Sequence, residues 1–474
     1  MSAETQVYLL DPKNLSPETI AVTFAKTSRS PESFREIAAE LNDEKSAQFH
    51  EKWVVGYGHS SVAEHAVLHI AVENCSRLAV EALESCRLAS YTEKSTRYQK
   101  WTPQDFHSPA ELEDHPLRTV FTHTVETLFR HYLEALPAVK GVIEQEHPRE
   151  EGESDSAWER RIRSRYVDIC RFYLPAAALA NVGMTINARA LEHSISKMLS
   201  HPLMEVQALG RELKRVGQEN TPTLIKYANA IPYLETAQHA LSQSAAAFLP
   251  GEAVRGDWCQ LIDFDRELEN RILAAALYRF GTVDYAHAMS AVGALNPADR
   301  QRLAHEILFG MEKFVIPLRE LEYGNFTFDV MLDQGGYFEL KRHRMMTQTP
   351  QQLTTHLGYA VPRRIVTAGL EDHYRTAMQL AADAYEQVAA WNPAVASYLV
   401  PNAYNRRVLL QVNLRSALHL LSLRSASNAH FSLRRLTQRM AEEMRAVLPL
   451  LGAYINTNEK ETWQKVEQDH FAQV

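Results

Sequence analysis

Apolar and polar residues alternate along two stretches of the chain, and helical patterns follow both. Residues 66–73 (Ala-Val-Leu-His-Ile-Ala-Val-Glu) and 326–332 (Phe-Thr-Phe-Asp-Val-Met-Leu) have the two-residue period of half-buried strands. Helical spacing follows over residues 76–89 and, in the second half, up to Leu340. Further helices are predicted at 15–53, 264–279, 297–318 and 406–447, at 163–209 with interruptions near Pro175 and Pro202, and as a helical hairpin at 107–148. Few strands among many helices predict an α+β fold with a small mixed or antiparallel sheet in a helical surround.

The second half of the chain repeats features of the first. In each half the strand and helix lead to an arginine-containing motif, which is Ser85-Cys86-Arg87 in the first half and Arg342-His343-Arg344 in the second. A Leu-Pro or Val-Pro turn then precedes an Asn-x-Arg motif, and 12 residues separate proline from asparagine in both halves, over 175–187 and 401–413. Matching order and spacing predict an internal duplication.

The duplication predicts two domains, residues 1–245 and 246–474. The boundary lies in the segment 221–257, which is rich in Ala, Pro, Ser and Gln and contains Pro250-Gly251. The first copy carries an inserted helical segment, at about residues 102–165, which accounts for its longer spacing between motifs.

Composition narrows the class of protein. The chain has 474 residues, 45% of them hydrophobic, and a formal net charge of −8. The hydrophobic content excludes disorder of the whole chain, and the negative net charge argues against a broad nucleic-acid-binding surface. The four cysteines form no CxxC pair, which argues against a zinc ribbon or thioredoxin-type site and suits a reducing cytoplasm. No uninterrupted apolar run approaches about 18 residues, so no transmembrane helix is expected.

Arginines supply the candidate chemistry. The guanidinium fork suits phosphate oxygens, and hydroxyl groups near Arg97 extend a possible anion site. Arg415, Arg424 and Arg434 lie among leucines, and buried guanidinium groups need polar partners. His65, His69 and Glu73 offer metal-ligand types, but strand neighbours four residues apart lie about 13 Å apart, so we predict no metal site there.

On these motifs the chain resembles the flavin-dependent thymidylate synthases, as two tandem and degenerate copies. Residues 58–65 match the family segment Gly-His-x-Ser-x-x-Glu-His, and Asn413, Arg415 and Arg424 match its late helix. The first copy keeps the family's nucleotide loop, with Ser90, Glu93, Ser95, Arg97 and Tyr98. The second copy keeps Arg342-His343-Arg344 but has Gln352 and Thr354 where the loop has Ser and Arg.

The resemblance implies methylation of C5 of a deoxyuridine monophosphate-type nucleotide, with methylenetetrahydrofolate, FAD and NADPH. It implies that Arg424 is catalytic, orienting and polarising the base. The residues implied to bind substrate are Ser90, Glu93, Ser95, Arg97 and Arg171. The residues implied to contact FAD are His59, Arg342, His343, Arg344, Asn413, Arg415, His419 and Asn428. No metal is implied. The resemblance also implies a cytoplasmic homodimer, whose two chains would contain four family-like domains.

Complementary losses suggest that the two copies build one composite site and one inactive one. Met198 stands where the first copy should have the essential arginine, and Ser397 stands where the second should have Arg171. Ala82 and Glu339 replace a family glutamine that holds the nucleotide. The alternatives are therefore a related flavin enzyme with another pyrimidine substrate or hydroxymethyl transfer, or a non-catalytic homologue that binds nucleotide or flavin.

Overall fold

The computed structural model describes residues 8, 10–27, 30–56, 60–97, 99, 101–249, 251, 256–311 and 315–474. The helices and strands of the first half are α1 (Pro17–Thr27), α2 (Phe34–Glu40), α3 (Asp43–His50), β1 (Val67–Ser76), α4 (Arg77–Leu83), β2 (Ala89–Glu93), α5 (Arg118–Glu146), α6 (Asp155–Cys170), β3 (Leu179–Asn187), α7 (Ala188–Leu199), α8 (Met204–Asn220) and α9 (Pro232–Phe248). Short π- or 3₁₀-helical segments lie at Glu51–Gly56, Ser60–His65, Ala110–Leu112 and Arg171–Tyr173.

The second half has the same kinds of element. They are β4 (Cys259–Phe264), α10 (Leu268–Phe280), α11 (Tyr285–Ala294), α12 (Pro297–Leu308), β5 (Asn325–Asp333), α13 (Gln334–Leu340), β6 (Thr347–Pro350), β7 (Val361–Pro362), α14 (Arg363–Thr367), α15 (Glu371–Ala389), α16 (Pro393–Ala396), β8 (Asn405–Asn413), α17 (Leu414–Arg424), α18 (Phe431–Val447), α19 (Trp463–His470) and β9 (Phe471–Gln473). Single turns lie at Arg319–Glu322, Ser397–Leu399 and Gly452–Tyr454. Small antiparallel sheets among many helices confirm the predicted α+β class. Among the described residues, no helix is long and apolar enough to cross a membrane.

The predicted duplication is visible in strand order and register. The first sheet has the order β1-β3-β2 and the second β4-β5-β8-β6, so β1, β2 and β3 correspond to β5, β6 and β8. Val67 lies opposite Asn187 in the first sheet, and Asn325 lies opposite Asn413 in the second. Each asparagine then caps the next helix, because its Oδ1 accepts the backbone N–H three residues on, at 2.9 Å in both copies.

The chain divides into two compact units whose borders differ in part from the predicted domains. Unit 1 contains Met1–Lys100, Gln104–Thr119 and Ala177–Gly251. Unit 2 contains Trp101–Pro103, Val120–Ala176 and Glu252–Val474. The end of unit 1 lies within the predicted boundary segment, but α5, α6 and the turn after α6 belong to unit 2 although they precede β3.

Within unit 2 the two predicted proline turns face each other. Pro175 and Pro401 form an antiparallel bridge. The N–H that follows each proline donates to the carbonyl that precedes the other proline, at 3.0 and 2.9 Å. Phe172, just before the first turn, is fully buried and stacks on Phe431 of α18, with ring centroids 5.7 Å apart. The first-half segment therefore forms part of the core of unit 2.

Several sequence-based element predictions are wrong. Residues 163–209 and 406–447 were expected to be helical, but they contain the strands β3 and β8. In β3 the apolar residues Ala180, Val182, Met184 and Ile186 alternate and are buried, so a strand signal was present. Between two helical patterns this short alternation was overlooked.

Other predicted boundaries also move. The predicted hairpin at 107–148 is one long helix, α5, which contains Pro137 without ending there. The helix predicted at 76–89 ends at Leu83, and the residues that resemble the nucleotide loop begin in the strand β2. The helix predicted at 297–318 ends at Leu308, while β4 and α11 were not predicted.

We predict that Phe172→Ala lowers the free energy of unfolding of the protein by about 3–5 kcal/mol, because it leaves a cavity in the core of unit 2. The matched control is Phe280→Ala, since Phe280 is 85% exposed. It should change the free energy by no more than about 0.5 kcal/mol. Urea denaturation measures both values, and equal effects of the two substitutions would show that Phe172 is not a core residue.

Candidate active site

Arg424 lies at the centre of a polar cluster in unit 2. It is the last residue of α17, and its Nε–H donates to Nε2 of His343 at 2.8 Å. Its Nη1 donates to the Glu339 carboxylate at 2.9 Å, and both side chains of this ion pair are less than 20% exposed. Two bonds from different atoms of the guanidinium fix its plane as well as its position.

Helix caps and the second sheet fix the positions of Glu339, His343 and Arg424. Asp333 ends β5 and caps α13, because its carboxylate accepts the N–H of Gly336 at 2.7 Å. Glu339 lies on the last turn of that helix, and His343 follows in the connection to β6. Asn413 caps α17 at its other end, so Arg424 is carried by a helix whose start is fixed by the sheet.

Glu339 is the anion that balances this cluster. Burial raises the pKa of Glu339, but the guanidinium groups of Arg342, Arg171 and Arg424 outweigh it and hold the pKa below its ordinary value. The carboxylate is therefore ionised at neutral pH. Arg342 lies farther away than Arg424, with Nη1 3.9 Å from the Glu339 carboxylate.

His343 is a neutral imidazole. Burial lowers the pKa of His343 to about 3, and the positive charges of Arg424 and His419 act in the same direction. Because Nε2 accepts the hydrogen bond from Arg424, the single proton of the neutral ring lies on Nδ1. The exposed ring of His419 lies next to it, with the two ring centroids 5.8 Å apart.

Arg171 enters this environment from the first half of the chain. It is 8% exposed, and its guanidinium lies 3.5 Å from the carboxylate of Asp168. Asn402 donates a side-chain N–H to the carbonyl of Arg171 at 2.9 Å. The positive charge of Arg171 lowers the pKa of Glu339 and opposes the burial that raises the pKa of Asp333. Arg171, a predicted substrate residue of the first copy, therefore acts electrostatically on Glu339, the carboxylate that pairs with Arg424.

The remaining predicted substrate residues lie in unit 1. Ser90 and Glu93 are on β2, and Ser95 and Arg97 follow it. The Glu93 carboxylate is 2.8 Å from Arg77, and these side chains are 2% and 6% exposed. The hydroxyl oxygen of Ser95 accepts the backbone N–H of Arg97 at 3.3 Å. Tyr98 lies outside the described residues.

The predicted flavin residues have distinct settings. Asn413 uses its side chain as the cap of α17, and Arg415 donates to Glu322 at 2.7 Å and to the carbonyl of Pro317 at 3.0 Å. Arg344 is partly buried in the connection between α13 and β6, and Asn428 is exposed after α17. His59 lies outside the described residues.

Groups of the kinds that bind a flavin dinucleotide lie at both ends of α17 and in the connection from α13 to β6. Guanidinium and imidazole groups suit a diphosphate, and amide groups suit the edge of a flavin ring. The residues that would hold it are Arg342, His343, Arg344, Asn413, Arg415, His419 and Asn428. Unit 2 also has an open cavity of about 1430 Å³, lined in part by Glu322, which is the partner of Arg415.

Sequence reasoning missed one part of this site. In the sequence, Glu339 is only a departure from the family pattern, and nothing near it indicates its ion pair with Arg424. The two residues are 85 positions apart in sequence, so no local spacing reveals the pair. The prediction that an arginine among leucines needs a polar partner pointed in the right direction. Arg434 meets the same need with Glu461 at 3.2 Å and the carbonyl of Ser427 at 3.1 Å.

The neutral state of His343 gives a pH prediction. In the unfolded chain an ordinary histidine titrates near 6.5, whereas the pKa of folded His343 is about 3. Between these two pKa values the unfolded chain binds a proton at this histidine that the folded protein does not bind. The free energy of unfolding is therefore highest above pH 6.5 and decreases as the pH falls towards 3.

Urea denaturation at pH 7, 6 and 5 should show this loss. His343→Gln should remove part of the acid slope, at most about 1.4 kcal/mol per pH unit. The exposed His123→Gln is the control and should keep the wild-type slope. Parallel slopes for wild type and His343→Gln would contradict the neutral assignment.

Both halves of the chain match a known protein family. The model of the thymidylate synthase complementing protein family matches residues 10–223 and 260–450, one match in each half. A UPF0159 protein of Chlamydia muridarum is 29% identical over 433 residues, covering 88% of this chain and 82% of the relative. A UPF0159 protein of Thermoplasma acidophilum is 28% identical over 458 residues, covering 88% and 89%.

Relatives of half the length are also found. A flavin-dependent thymidylate synthase of Clostridium tetani is 27% identical over 215 residues, which cover 45% of this chain and 82% of the relative. A crystal structure of a flavin-dependent thymidylate synthase of Helicobacter pylori with FAD and dUMP aligns with a TM-score of 0.31 at 16% identity, covering 42% of this chain and 99% of that one. Because the family model matches most of the chain in two segments, the protein belongs to the thymidylate synthase complementing protein family, that of the flavin-dependent thymidylate synthases, as a tandem duplication.

Proposed function

We propose that the protein is a flavin-dependent enzyme that methylates a deoxyuridine monophosphate-type nucleotide at a site centred on Arg424. The observation that carries the proposal is the ion pair of Arg424, from the second copy, with Glu339, a carboxylate whose pKa the positive charge of Arg171, from the first copy, also lowers. Each copy lacks the other's arginine at the equivalent position. The cluster therefore supplies a pair of arginines that neither copy has alone.

In this proposal Arg424 orients the pyrimidine and polarises its carbonyl groups. A guanidinium has five N–H donors, and bonds to His343 and Glu339 fix its plane before substrate binds. Preorganised donors stabilise charge that develops on a carbonyl oxygen without a cost of reorganisation at that moment. Arg171 adds positive charge for the anionic part of the nucleotide.

FAD is the proposed cofactor, and NADPH and methylenetetrahydrofolate are the proposed co-substrates. Bound FAD would relay a hydride from NADPH to the one-carbon unit of methylenetetrahydrofolate, so that C5 would lose a proton and gain a methyl group while tetrahydrofolate and NADP⁺ are released. The protein's residues bind and orient. Arg415 and Arg342 attract the diphosphate, and neutral His343 keeps Arg424 in place without adding a competing charge.

The complete site is proposed to combine residues of the two sequence copies, within one chain or across a homodimer. Ser90, Glu93, Ser95 and Arg97 would hold the phosphate and sugar, and Arg342-His343-Arg344 would serve the flavin. The other possible site would pair the second copy's altered loop with the first copy's Ser85-Cys86-Arg87, and it is proposed to be inactive. A cytoplasmic location is also proposed, which the four free cysteines support.

A second candidate is a related flavin enzyme with another pyrimidine nucleotide or with hydroxymethyl transfer. The observation that favours it is the ionised carboxylate of Glu339 at the position of the family's glutamine. A carboxylate only accepts hydrogen bonds, whereas a glutamine amide also donates them. A site with this exchange prefers a base edge that presents an N–H donor, and such an exchange shifts specificity by orders of magnitude.

The first test is direct. Protein purified from cells should absorb as a flavoprotein or bind added FAD at micromolar concentration. With dUMP, methylenetetrahydrofolate and NADPH, mass spectrometry should find a nucleotide heavier by one methylene group. Flavin oxidation with another pyrimidine nucleotide and none with dUMP would support the second candidate. Absence of flavin binding would remove both enzyme proposals and leave a non-catalytic homologue.

The composite site predicts unequal effects at matched positions of the two copies. Arg97→Ala and Arg344→Ala should each lower kcat/KM at least about 100-fold, because each removes a charged donor from the working site. The matched controls are Thr354→Ala and Arg87→Ala, at the same positions of the other copy, and both should retain activity. Similar losses in all four variants, measured by product formation, would indicate two working sites.

Glu339→Gln separates the two candidates. If dUMP is the substrate, the change weakens the hold on Arg424 and lowers kcat/KM for dUMP. If another nucleotide is the substrate, the amide moves preference towards dUMP by about tenfold or more. The exposed Glu306→Gln is the control and should leave both nucleotides unaffected. Steady-state kinetics with dUMP and with deoxycytidine monophosphate give the ratio, and an unchanged ratio would rule out specificity control by Glu339.

A further inference from the structure

A second polar cluster of unit 2 joins the inserted helix α5 to α15. His131 and Glu134 are three residues apart on α5, so they share one face of that helix. His373 lies in the first turn of α15 and lies opposite them. One ligand atom from each of the three residues can be chosen so that all lie within 4.8 Å of one another.

We propose that His131, Glu134 and His373 form a binding site for one Zn²⁺ or similar divalent transition-metal ion. Zn²⁺ ligands in a tetrahedral site lie about 2.0–2.1 Å from the ion, and therefore about 3.3 Å from each other. The three side chains need to close by about 1.5 Å at most to reach this geometry. Nε2 of His373 is already 3.2 Å from the carboxylate of Glu134.

The surroundings of His373 suit a metal ligand. Its Nδ1 lies 3.0 Å from the hydroxyl group of Tyr173, which is a fully buried residue. With the proton on Nδ1, this N–H donates to the tyrosine oxygen and Nε2 offers its lone pair on the side of Glu134. A hydrogen bond from the distal nitrogen commonly fixes the tautomer and orientation of a ligating histidine.

His131 supplies the second, independent observation. Its Nδ1 is buried and accepts or donates no hydrogen bond among the described residues. The ring centroids of His131 and His373 are only 4.1 Å apart, which disfavours two protonated rings.

The ligand set indicates the kind of ion. Two imidazoles and one carboxylate suit Zn²⁺ and similar transition metals, whereas Mg²⁺ and Ca²⁺ prefer oxygen ligands. The side chain of Glu134 is 55% exposed, so solvent can reach the ion and supply a fourth ligand. Because α5 comes from the insertion and α15 from the second copy, the ion would tie the insertion to the second copy within unit 2. This gives the insertion a structural role that is independent of the proposed function.

Isothermal titration of EDTA-treated full-length protein with zinc chloride tests the proposal. We expect one Zn²⁺ per chain at micromolar affinity or tighter, and no heat from magnesium chloride at the same concentrations. Wild-type protein with Co²⁺ should show visible ligand-field absorption that Zn²⁺ abolishes. This measurement needs no variant and so does not depend on variant folding.

Variants assign the ligands. His131→Ala, His373→Ala and Glu134→Gln should each weaken Zn²⁺ binding at least about tenfold, and Tyr173→Phe should weaken it about 10–100-fold through His373. The matched control is His123→Ala, on the exposed face of the same helix, which should bind as wild type does. Zinc should raise the thermal unfolding temperature of wild type and His123→Ala but not of His373→Ala. Failure of wild type to bind Zn²⁺ at micromolar concentration, or undiminished binding by His131→Ala and His373→Ala, would overturn the proposal.

Discussion

A buried guanidinium needs a buried anion, and this constraint organises the candidate site. Arg424 is held by Glu339, whose carboxylate stays ionised because Arg342 and Arg171 also act on it. Removing one partner of such a group is costly, since it leaves a charge in a medium of low polarity. The neutral state of His343 follows from the same cluster, because burial and the charge of Arg424 both oppose its protonation. Position, protonation and orientation thus have one electrostatic origin.

The duplication explains why neither copy needs both Arg171 and Arg424 in the proposed site. The two sheets share strand order and register, so equivalent residues of the two copies lie at equivalent places on the backbone. At the position of Arg424 the first copy has Met198, which is buried, and at the position of Arg171 the second has Ser397, which is also buried. Unit 2 contains the residues 120–176 together with the second copy. In the proposed composite site, complementary replacements can persist because one site needs each arginine only once.

The sequence was sufficient for features that repeat locally and insufficient for those that depend on distant partners. The α+β class, the duplication and the strands β1 and β5 followed from periodicity and motif spacing. The strands β3 and β8 were missed because helical patterns flank a short alternation on both sides. The partnership of Glu339 with Arg424 and the approach of His131 to His373 arise only when remote helices pack. Motifs identified the arginines, but only the fold showed which carboxylate they share.

The stoichiometry of flavin binding tests the central claim most directly. If two degenerate copies build one working site and one inactive one, each chain should bind one FAD tightly. The ratio of flavin absorbance to protein concentration, determined by amino-acid analysis after removal of free flavin, measures this number. A value near one per chain is predicted. A value near two would mean that both copies kept a site, and a value of zero in the presence of excess FAD would mean that neither did.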